Sequence, residues 1–230
     1  MTAYDFFGVV NTIFIFVSLY GVLSQVRTIW SRKKQEVKGG ATQLLSVNQF
    51  SVSYLAYLSF FIYGYSIKPF NHYIVWPRLI AAVFVAIILY EIWLERKTKS
   101  STSSLVLVAS SLVFGMFGLF YGNTFVDEGK YVSTILILVI SFLIAQGYYH
   151  QIKLILKSGA TGAINLKMSQ FIFMMDISTI AFALSMGLNN GWPLMVLAIT
   201  SGLTKSIIMY LFTWVKVSPV AMQRREKYSF

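Results

Sequence analysis

The 230-residue chain contains no cysteine and few charged residues. The absence of cysteine excludes disulfide bonds, thiolate metal sites and cysteine nucleophiles. Asp, Glu, Lys and Arg make up 12% of the sequence, about half the share in a soluble protein, whereas 57% is hydrophobic and 17% aromatic. We expect this much apolar surface to contact lipid. Because each spanning helix takes about 20 residues, little chain remains for a large extramembrane domain, which disfavours most catalytic architectures.

Apolar runs separated by polar residues predict seven membrane-spanning helices. They lie near residues 6–28, 46–66, 73–94, 102–122, 131–154, 166–188 and 192–215. The first run is preceded by Asp5 and by no basic residue, and it is longer than the apolar part of a signal peptide. We therefore interpret it as a retained helix.

Lysine and arginine are concentrated on one side of the predicted membrane. The chain has 19 basic and 8 acidic residues, a formal net charge of +11. Most basic residues follow the first, third, fifth and seventh predicted helices, and the opposite side has only Lys68, Arg78 and Lys130. Because cytoplasmic loops are enriched in Lys and Arg, we expect the N-terminus outside and the C-terminus in the cytoplasm. The same rule explains the basic run at 31–35 without a nucleic-acid partner.

An internal repeat divides the chain. Residues 21–29 and 147–155 both read Gly-x-x-x-Gln-(Val/Ile)-(Arg/Lys)-x-Ile. Three further matches follow in the same order: Asn48-Gln49-Phe50 with Ser169-Gln170-Phe171, Trp76-Pro77 with Trp192-Pro193, and residues 87–90 with 207–210. Four matches in one order at nearly constant spacing indicate two related three-helix units, and the fourth predicted helix has no counterpart.

The repeat predicts an all-α integral membrane fold, in which seven transmembrane helices form two parallel three-helix-bundle repeats joined by a linker helix (3+1+3). The first repeat covers residues 1–98, the linker helix 99–124, the second repeat 125–217, and a cytoplasmic tail 218–230. Because the linker helix restores the direction of insertion, both repeats enter the membrane in the same orientation. Transporters built this way bind substrate near the midplane, between the repeats.

These features resemble the PQ-loop superfamily, which includes the SWEET sugar transporters and the lysosomal cystine exporter cystinosin. The resemblance covers nearly the whole chain: two three-helix units, a linker helix, and a glutamine motif near the end of the first helix of each unit. Gln25 and Gln151 match the glutamines of that motif, while Ser24 and His150 stand where the family has proline. The resemblance implies that the Gln25 and Gln151 segments are gating elements that close the cytoplasmic side.

Two charged residues lie deep within predicted helices. Asp176 is about 15 Å from the cytoplasmic start of the sixth helix, and Lys205 is about 20 Å from the outer start of the seventh. A charge at the bilayer centre costs about 2.5–3.5 kcal/mol, so we expect both to face the bundle interior, paired or across a wet cavity. The alternative is a static salt bridge that fixes helix packing. Their repeat counterparts, near Leu55 and Val85, are apolar, so one repeat alone carries this polarity.

The predicted substrate- or proton-binding residues are Asp176, Lys205, Asn48, Tyr54, Tyr57, Gln170 and Tyr210. The SWEET sugar transporters use an asparagine in the third helix and another in the seventh, and neither helix has one in its interior here. A carboxylate in the sixth helix is more similar to the proton-coupled, amino-acid-type branch that cystinosin represents.

The leading hypothesis is a secondary transporter that moves a small polar solute by alternating access, with proton coupling as one option. The solute is an amino acid, a vitamin, a nucleoside or a sugar, and the short tails favour a bacterial plasma membrane. We predict no enzymatic activity, cofactor, metal or nucleic-acid partner, and either a monomer or a homo-oligomer. Two alternatives are a retinal photoreceptor with Lys205 as its Schiff base, although the third helix lacks an aspartate counter-ion, and a non-transporting receptor on the same scaffold.

Overall fold

The computed structural model describes residues 2–37, 40–66, 72–121 and 130–228. All regular structure within these ranges is helical. The helices are α1 (Ala3–Lys34), α2 (Val47–Ser66), α3 (His72–Arg96), α4 (Lys99–Tyr121), α5 (Lys130–Ser158), α6 (Leu166–Ser185), α7 (Leu188–Val217) and α8 (Pro219–Tyr228). The predicted helix end at residue 122, the predicted boundary at 124–125 and Lys68 lie outside the described residues.

Five of these helices, α1, α3, α4, α6 and α7, are long and apolar enough to cross a membrane. Large apolar side chains remain exposed on them, and the exposed fractions reach 75% at Phe114, 77% at Phe120 and 61% at Leu203. A soluble monomer rarely exposes extended apolar surface of this kind to water. The fold therefore agrees with the composition in indicating a helical membrane protein.

Local sequence explains where several helices begin. Thr2 and Asp5 form a reciprocal capping box at the start of α1, and the Asn165 side chain caps α6. Pro219 opens α8, where its fixed φ suits the first helical position. The sequence pattern predicts only a tail at 218–230, yet Arg225 of α8 donates a hydrogen bond to the Val215 carbonyl oxygen (2.8 Å). The eighth helix is thus docked on the end of α7.

The helices form two sets, which we call the first trio (α1, α2, α3) and the second trio (α5, α6, α7). In the first trio α3 packs against both α1 and α2, and in the second α7 packs against both α5 and α6. Among the described residues, α1 and α2 do not approach within 8 Å between Cα atoms, and neither do α5 and α6. The trios meet through α1 with α6 and through α2 with α5, while α4 packs on α2 and α3. The set of contacts among the six helices of the trios is unchanged when the two trios are exchanged, whereas α4 packs on the first trio.

Glycine allows the trios to approach closely at both of these contacts. A Cβ atom on Gly21 of α1 would lie 3.2 Å from the Met168 Cα atom of α6, and one on Gly147 of α5 would lie 3.1 Å from the Gln49 Cα atom of α2. Small residues at such crossings let helix backbones pack against each other. The two matched glycines of the repeat therefore lie at equivalent places between the trios.

One end of the bundle gathers most of the basic residues, and we call it the basic end. It contains the last turns of α1, α3, α5 and α7, the whole of α8, and the loops that precede α2 and α6. Arg32, Lys33, Lys34, Arg96, Lys157 and Lys216 all lie in these last turns. Cations there interact favourably with the carbonyl ends of the helices.

Candidate functional site

Gln25 of α1 is buried, and its side-chain amide binds the backbone of the loop before α6. Its Nε2 atom donates to the Ala163 carbonyl oxygen (2.8 Å), and its Oε1 atom accepts from the Asn165 backbone N–H (2.8 Å). Both polar atoms of the Gln25 amide therefore have hydrogen-bond partners, as buried polar atoms generally do.

Gln151 of α5 makes the same two bonds to the loop before α2. Its Nε2 atom donates to the Leu44 carbonyl oxygen (2.7 Å), and its Oε1 atom accepts from the Ser46 backbone N–H (2.7 Å). Each glutamine thus joins the first helix of one trio to a loop of the other. We call these contacts the glutamine latches: Gln25 with Ala163 and Asn165, and Gln151 with Leu44 and Ser46.

The two latched loops also bind each other. The Ala163 backbone N–H donates to the Gln43 carbonyl oxygen (2.9 Å), and the Arg32 guanidinium donates to the Gln43 side-chain oxygen (3.0 Å). Gly162 has φ +56°, and a Cβ atom there would lie 2.5 Å from the Gln43 carbonyl oxygen, so the contact requires glycine. The basic end is therefore closed between the trios.

The helix caps next to the latches correct the predicted register between α2 and α6. Ser46 Oγ accepts from the Gln49 backbone N–H, and Asn165 Oδ1 accepts from the Met168 backbone N–H, each over 3.2 Å. Gln49 therefore corresponds to Met168, and its predicted match with Gln170 is wrong by two residues. The capping residues Ser46 and Asn165 differ in type, so the two halves of the sequence share no identical residue at this position.

Asp176 is almost completely buried on α6, with 1% of the residue's surface exposed. Its Oδ2 atom has no hydrogen-bond partner, and Ser201 of α7 is a polar neighbour of the carboxylate. In the corrected register its counterpart in the first trio is Tyr57, and the predicted counterpart Leu55 is wrong. Tyr57 is itself an electrostatic neighbour of Asp176. The two equivalent positions therefore face one shared region.

Lys205 of α7 is 2% exposed, and its ammonium group binds Tyr148 of α5. The Nζ atom donates to the Tyr148 hydroxyl and lies 4.1 Å from the centroid of the ring. Lys205 and Asp176 are electrostatic neighbours, but among the described residues no carboxylate oxygen lies within 4 Å of the Lys205 ammonium. The two predicted charges do meet in the bundle interior, and they do not form a direct ion pair.

Tyr148 is a site residue that the sequence pattern did not reveal, because a tyrosine near a helix end is typical of the membrane interface. It is 5% exposed, and its hydroxyl has Ser53 and Gln49 of α2 as further polar neighbours. Its position three residues before Gln151, on the same face of α5, was the only available signal.

The sequence pattern counts Arg78 with the outer side of the membrane, at the start of the third predicted helix, and the structure places it in the second turn of α3. Its guanidinium carbon lies 5.7 Å from the centroid of the Tyr57 ring and 5.1 Å from that of Phe60, within the range of cation–π contacts. Arg78 is also an electrostatic neighbour of Asp176. We define the polar centre as the following residues, which come from five helices: Tyr57, Arg78, Tyr148, Asp176, Ser201 and Lys205.

Four side chains of the polar centre lie at a common depth. Tyr57 and Asp176 are each about 15 Å from the start of their helices at 1.5 Å per residue. Tyr148 is about 15 Å, and Lys205 about 18 Å, from the ends of α5 and α7. Because all of these helix termini lie at the basic end, the four side chains meet in one layer beneath the latches.

The remaining predicted site residues lie elsewhere. Asn48 donates to the Gln146 side-chain oxygen (2.8 Å), and Tyr54, which is fully buried, donates to the Val108 carbonyl oxygen of α4 (3.0 Å). Gln170 and Tyr210 are exposed, Tyr210 by 66%. Of the five uncharged residues predicted for the site, Tyr57 is the one that the structure places in the polar centre.

The polar centre offers hydrogen-bonding and charged groups in a closed interior. An unpartnered carboxylate oxygen can accept a hydrogen bond, and an ammonium and a guanidinium can each bind an acceptor. Within the described ranges, no cluster of three or more His, Cys, Asp or Glu side chains could hold a metal ion. Comparison of the chain with protein-family models, curated proteins and solved structures gives no match.

Proposed function

We propose that the protein is a secondary transporter that moves a small polar solute by alternating access through the polar centre. The observation that carries this proposal is the burial of the charged side chains Asp176 and Lys205 between two equivalently packed trios. The two matching glutamine latches separate these side chains from the basic end. Buried ionisable groups inside a membrane are costly and mark substrate or ion pathways. The proposed solute is an amino acid, a vitamin, a nucleoside or a sugar, with proton coupling as one option.

In the proposed membrane arrangement α1 to α7 all span the bilayer, as two parallel repeats joined by α4. The exchange symmetry of the helix contacts supports this 3+1+3 layout. The proposal includes a relationship to the PQ-loop superfamily, which the helix layout and the glutamine motif support. The basic end would be cytoplasmic, because Lys and Arg collect on that side of a membrane, and a bacterial plasma membrane remains the proposed location.

The closed basic end corresponds, in this proposal, to a state sealed from the cytoplasm. Opening would separate Gln25 from the loop before α6 and Gln151 from the loop before α2. Each latch consists of two hydrogen bonds between trios. Because water would satisfy the same groups once they are exposed, the net cost of breaking each bond is only about 0.5–1.5 kcal/mol. Such latches can open and close reversibly.

Within the polar centre, Asp176 and Lys205 would contact the solute. The unpartnered Oδ2 atom of Asp176 suits a proton or a cationic group of the solute. Lys205 would neutralise Asp176 or hold a carboxylate of the solute. Asp176 and Lys205 both belong to the second trio, and their counterparts Tyr57 and Val85 are not charged. Such a difference between the trios suits the recognition of an asymmetric solute.

Solute counterflow in proteoliposomes tests the proposal. Amino acids, vitamins, nucleosides and sugars are first screened at two pH values for solutes that raise the melting temperature, and counterflow is then measured with each stabilising solute. Asp176→Asn and Lys205→Ala are each expected to reduce the initial rate at least about tenfold while the protein stays folded. Tyr210→Phe, at an exposed position outside the polar centre, is the control and should transport normally.

Full counterflow in both variants would contradict the assignment of the site. Stabilisation by a solute without counterflow in the unmodified protein would instead indicate a receptor on this scaffold. A visible absorption band after retinal is added to the unmodified protein, lost in Lys205→Ala, would indicate the photoreceptor alternative.

A further inference from the structure

We propose that Tyr148 is a positioning residue that couples the polar centre to the glutamine latches, an inference that rests on the proposed function. Tyr148 lies three residues before Gln151, so both side chains occupy one face of α5. The Tyr148 hydroxyl accepts a hydrogen bond from the Lys205 ammonium, and the Gln151 amide holds the loop before α2. One turn of a rigid helix therefore links the hydrogen bond between Lys205 and Tyr148 to the Gln151 latch.

The contacts of Tyr148 cross the boundary between the trios. Its hydroxyl binds Lys205 of its own trio and neighbours Ser53 and Gln49 of the other. A hydrogen bond with a charged partner is stronger than a neutral one, and burial strengthens it further. Tyr148 therefore holds α2, α5 and α7 together just beneath the latch as long as Lys205 donates to it.

The first trio lacks this connection. The counterpart of Tyr148, by the match of Gln25 with Gln151, is Val22, and the counterpart of Lys205 is Val85. Both valines are completely buried. Two aliphatic side chains cannot exchange hydrogen-bond partners, so only the second trio can respond to an occupant of the polar centre in this way.

A solute with an acceptor group would compete with Tyr148 for the Lys205 ammonium. Once Lys205 turns to the solute, α5 loses its charged contact beneath the latch. The Gln151 amide is then the remaining hydrogen-bonding link between α5 and the loop at Leu44 and Ser46, which the loop before α6 also binds. Binding in the polar centre would in this way favour opening of the basic end.

The absence of cysteine allows single-cysteine reporters on both sides of the polar centre. Ala163 lies in a latch and is completely buried, and Ser178 lies two residues beyond Asp176, away from the basic end, with 6% exposed. Ala163→Cys and Ser178→Cys are prepared separately, reconstituted in nanodiscs and labelled with a fluorescent maleimide. Each labelling rate reports how often that side opens.

Tyr148→Phe removes only the hydroxyl and leaves the ring. We expect the labelling of Ala163→Cys to accelerate at least about tenfold, the size expected for a lost hydrogen bond to a charged group. The labelling of Ser178→Cys should slow, because the two openings are mutually exclusive. Tyr149→Phe, at the neighbouring exposed position, is the matched control and should leave both rates unchanged.

Unchanged rates in Tyr148→Phe would overturn the inference, and so would acceleration of both reporters, since a loosened fold exposes both sides. Gln25→Ala frees the loop at Ala163 directly. This variant distinguishes a failure of the role of Tyr148 from a failure of alternating access. If Gln25→Ala moves the rates in opposite directions and Tyr148→Phe does not, only the role of Tyr148 is wrong. If neither substitution alters either rate, the inference and alternating access both fail.

Discussion

At the scale of single residues, the stability of the fold does not explain why the polar centre contains buried charges. Asp176 and Lys205 are almost completely buried, yet they are not within 4 Å of each other. Even a direct buried ion pair is often no more stable than apolar side chains of similar volume. A separated pair has less Coulomb energy to offset its desolvation, so it is better explained by function than by packing.

The separation of these two buried charges predicts the behaviour of a double variant, Asp176→Val with Lys205→Met. Because both desolvated charges are replaced together by apolar side chains of similar size, the melting temperature should equal or exceed that of the unmodified protein. Counterflow should be lost. Thermal unfolding in nanodiscs and solute counterflow measure the two effects. A large drop in melting temperature would instead show that the charges fix helix packing.

Only part of the site could be predicted from the sequence at this scale. A charge within an apolar run and a repeated motif are visible in one dimension, and so Asp176, Lys205 and the two glutamines could be found. Tyr148 could not be found, because its partners come from α2 and α7, and its spacing from Gln151 alone does not distinguish it from an interfacial tyrosine. Predicting its role requires the crossing geometry of three helices.

At the scale of helices, the hydropathy pattern predicted the positions of the seven long helices well and the residues at which they end less well. Each of the seven predicted segments overlaps mainly with one helix, since lipid-facing and core side chains are both apolar, although the sixth runs past the end of α6 to the first residue of α7. α1 continues to Lys34, beyond the predicted end at residue 28, because basic side chains favour the last turn of a helix. α8 carries no long apolar run and was missed for that reason.

The close crossing of α5 and α2 predicts the effect of filling Gly147. A side chain at this position would meet the Gln49 backbone, so Gly147→Val should force the helices apart and destabilise the protein by about 1–3 kcal/mol, as overpacking does. The melting temperature in nanodiscs measures this effect. Gly202→Ala is the control, because its nearest neighbours would lie at an ordinary 3.7–3.8 Å. Equal melting temperatures for the two variants would contradict the close approach.

At the scale of the whole molecule, a symmetric framework carries an asymmetric site. The contacts among the six trio helices and both latches are equivalent under exchange of the trios, whereas the positions equivalent to Lys205 and Tyr148 hold the valines Val85 and Val22. The repeat could be detected in the sequence because the motif glutamines and glycines occupy equivalent contacts. The register of α2 against α6 could not, because Ser46 and Asn165 perform the same capping with different side chains.

The charge asymmetry of the whole molecule predicts its orientation in the membrane. If the basic end is cytoplasmic, a cysteine at Leu188, at the opposite end of the bundle, should react with a membrane-impermeant maleimide on intact cells. A cysteine at Gln223, exposed on α8, should react only after the cells are permeabilised. The cysteine-free chain makes each variant a single-site probe. The reverse labelling pattern would place the glutamine latches outside the cell, and the state described here would then be closed to the exterior.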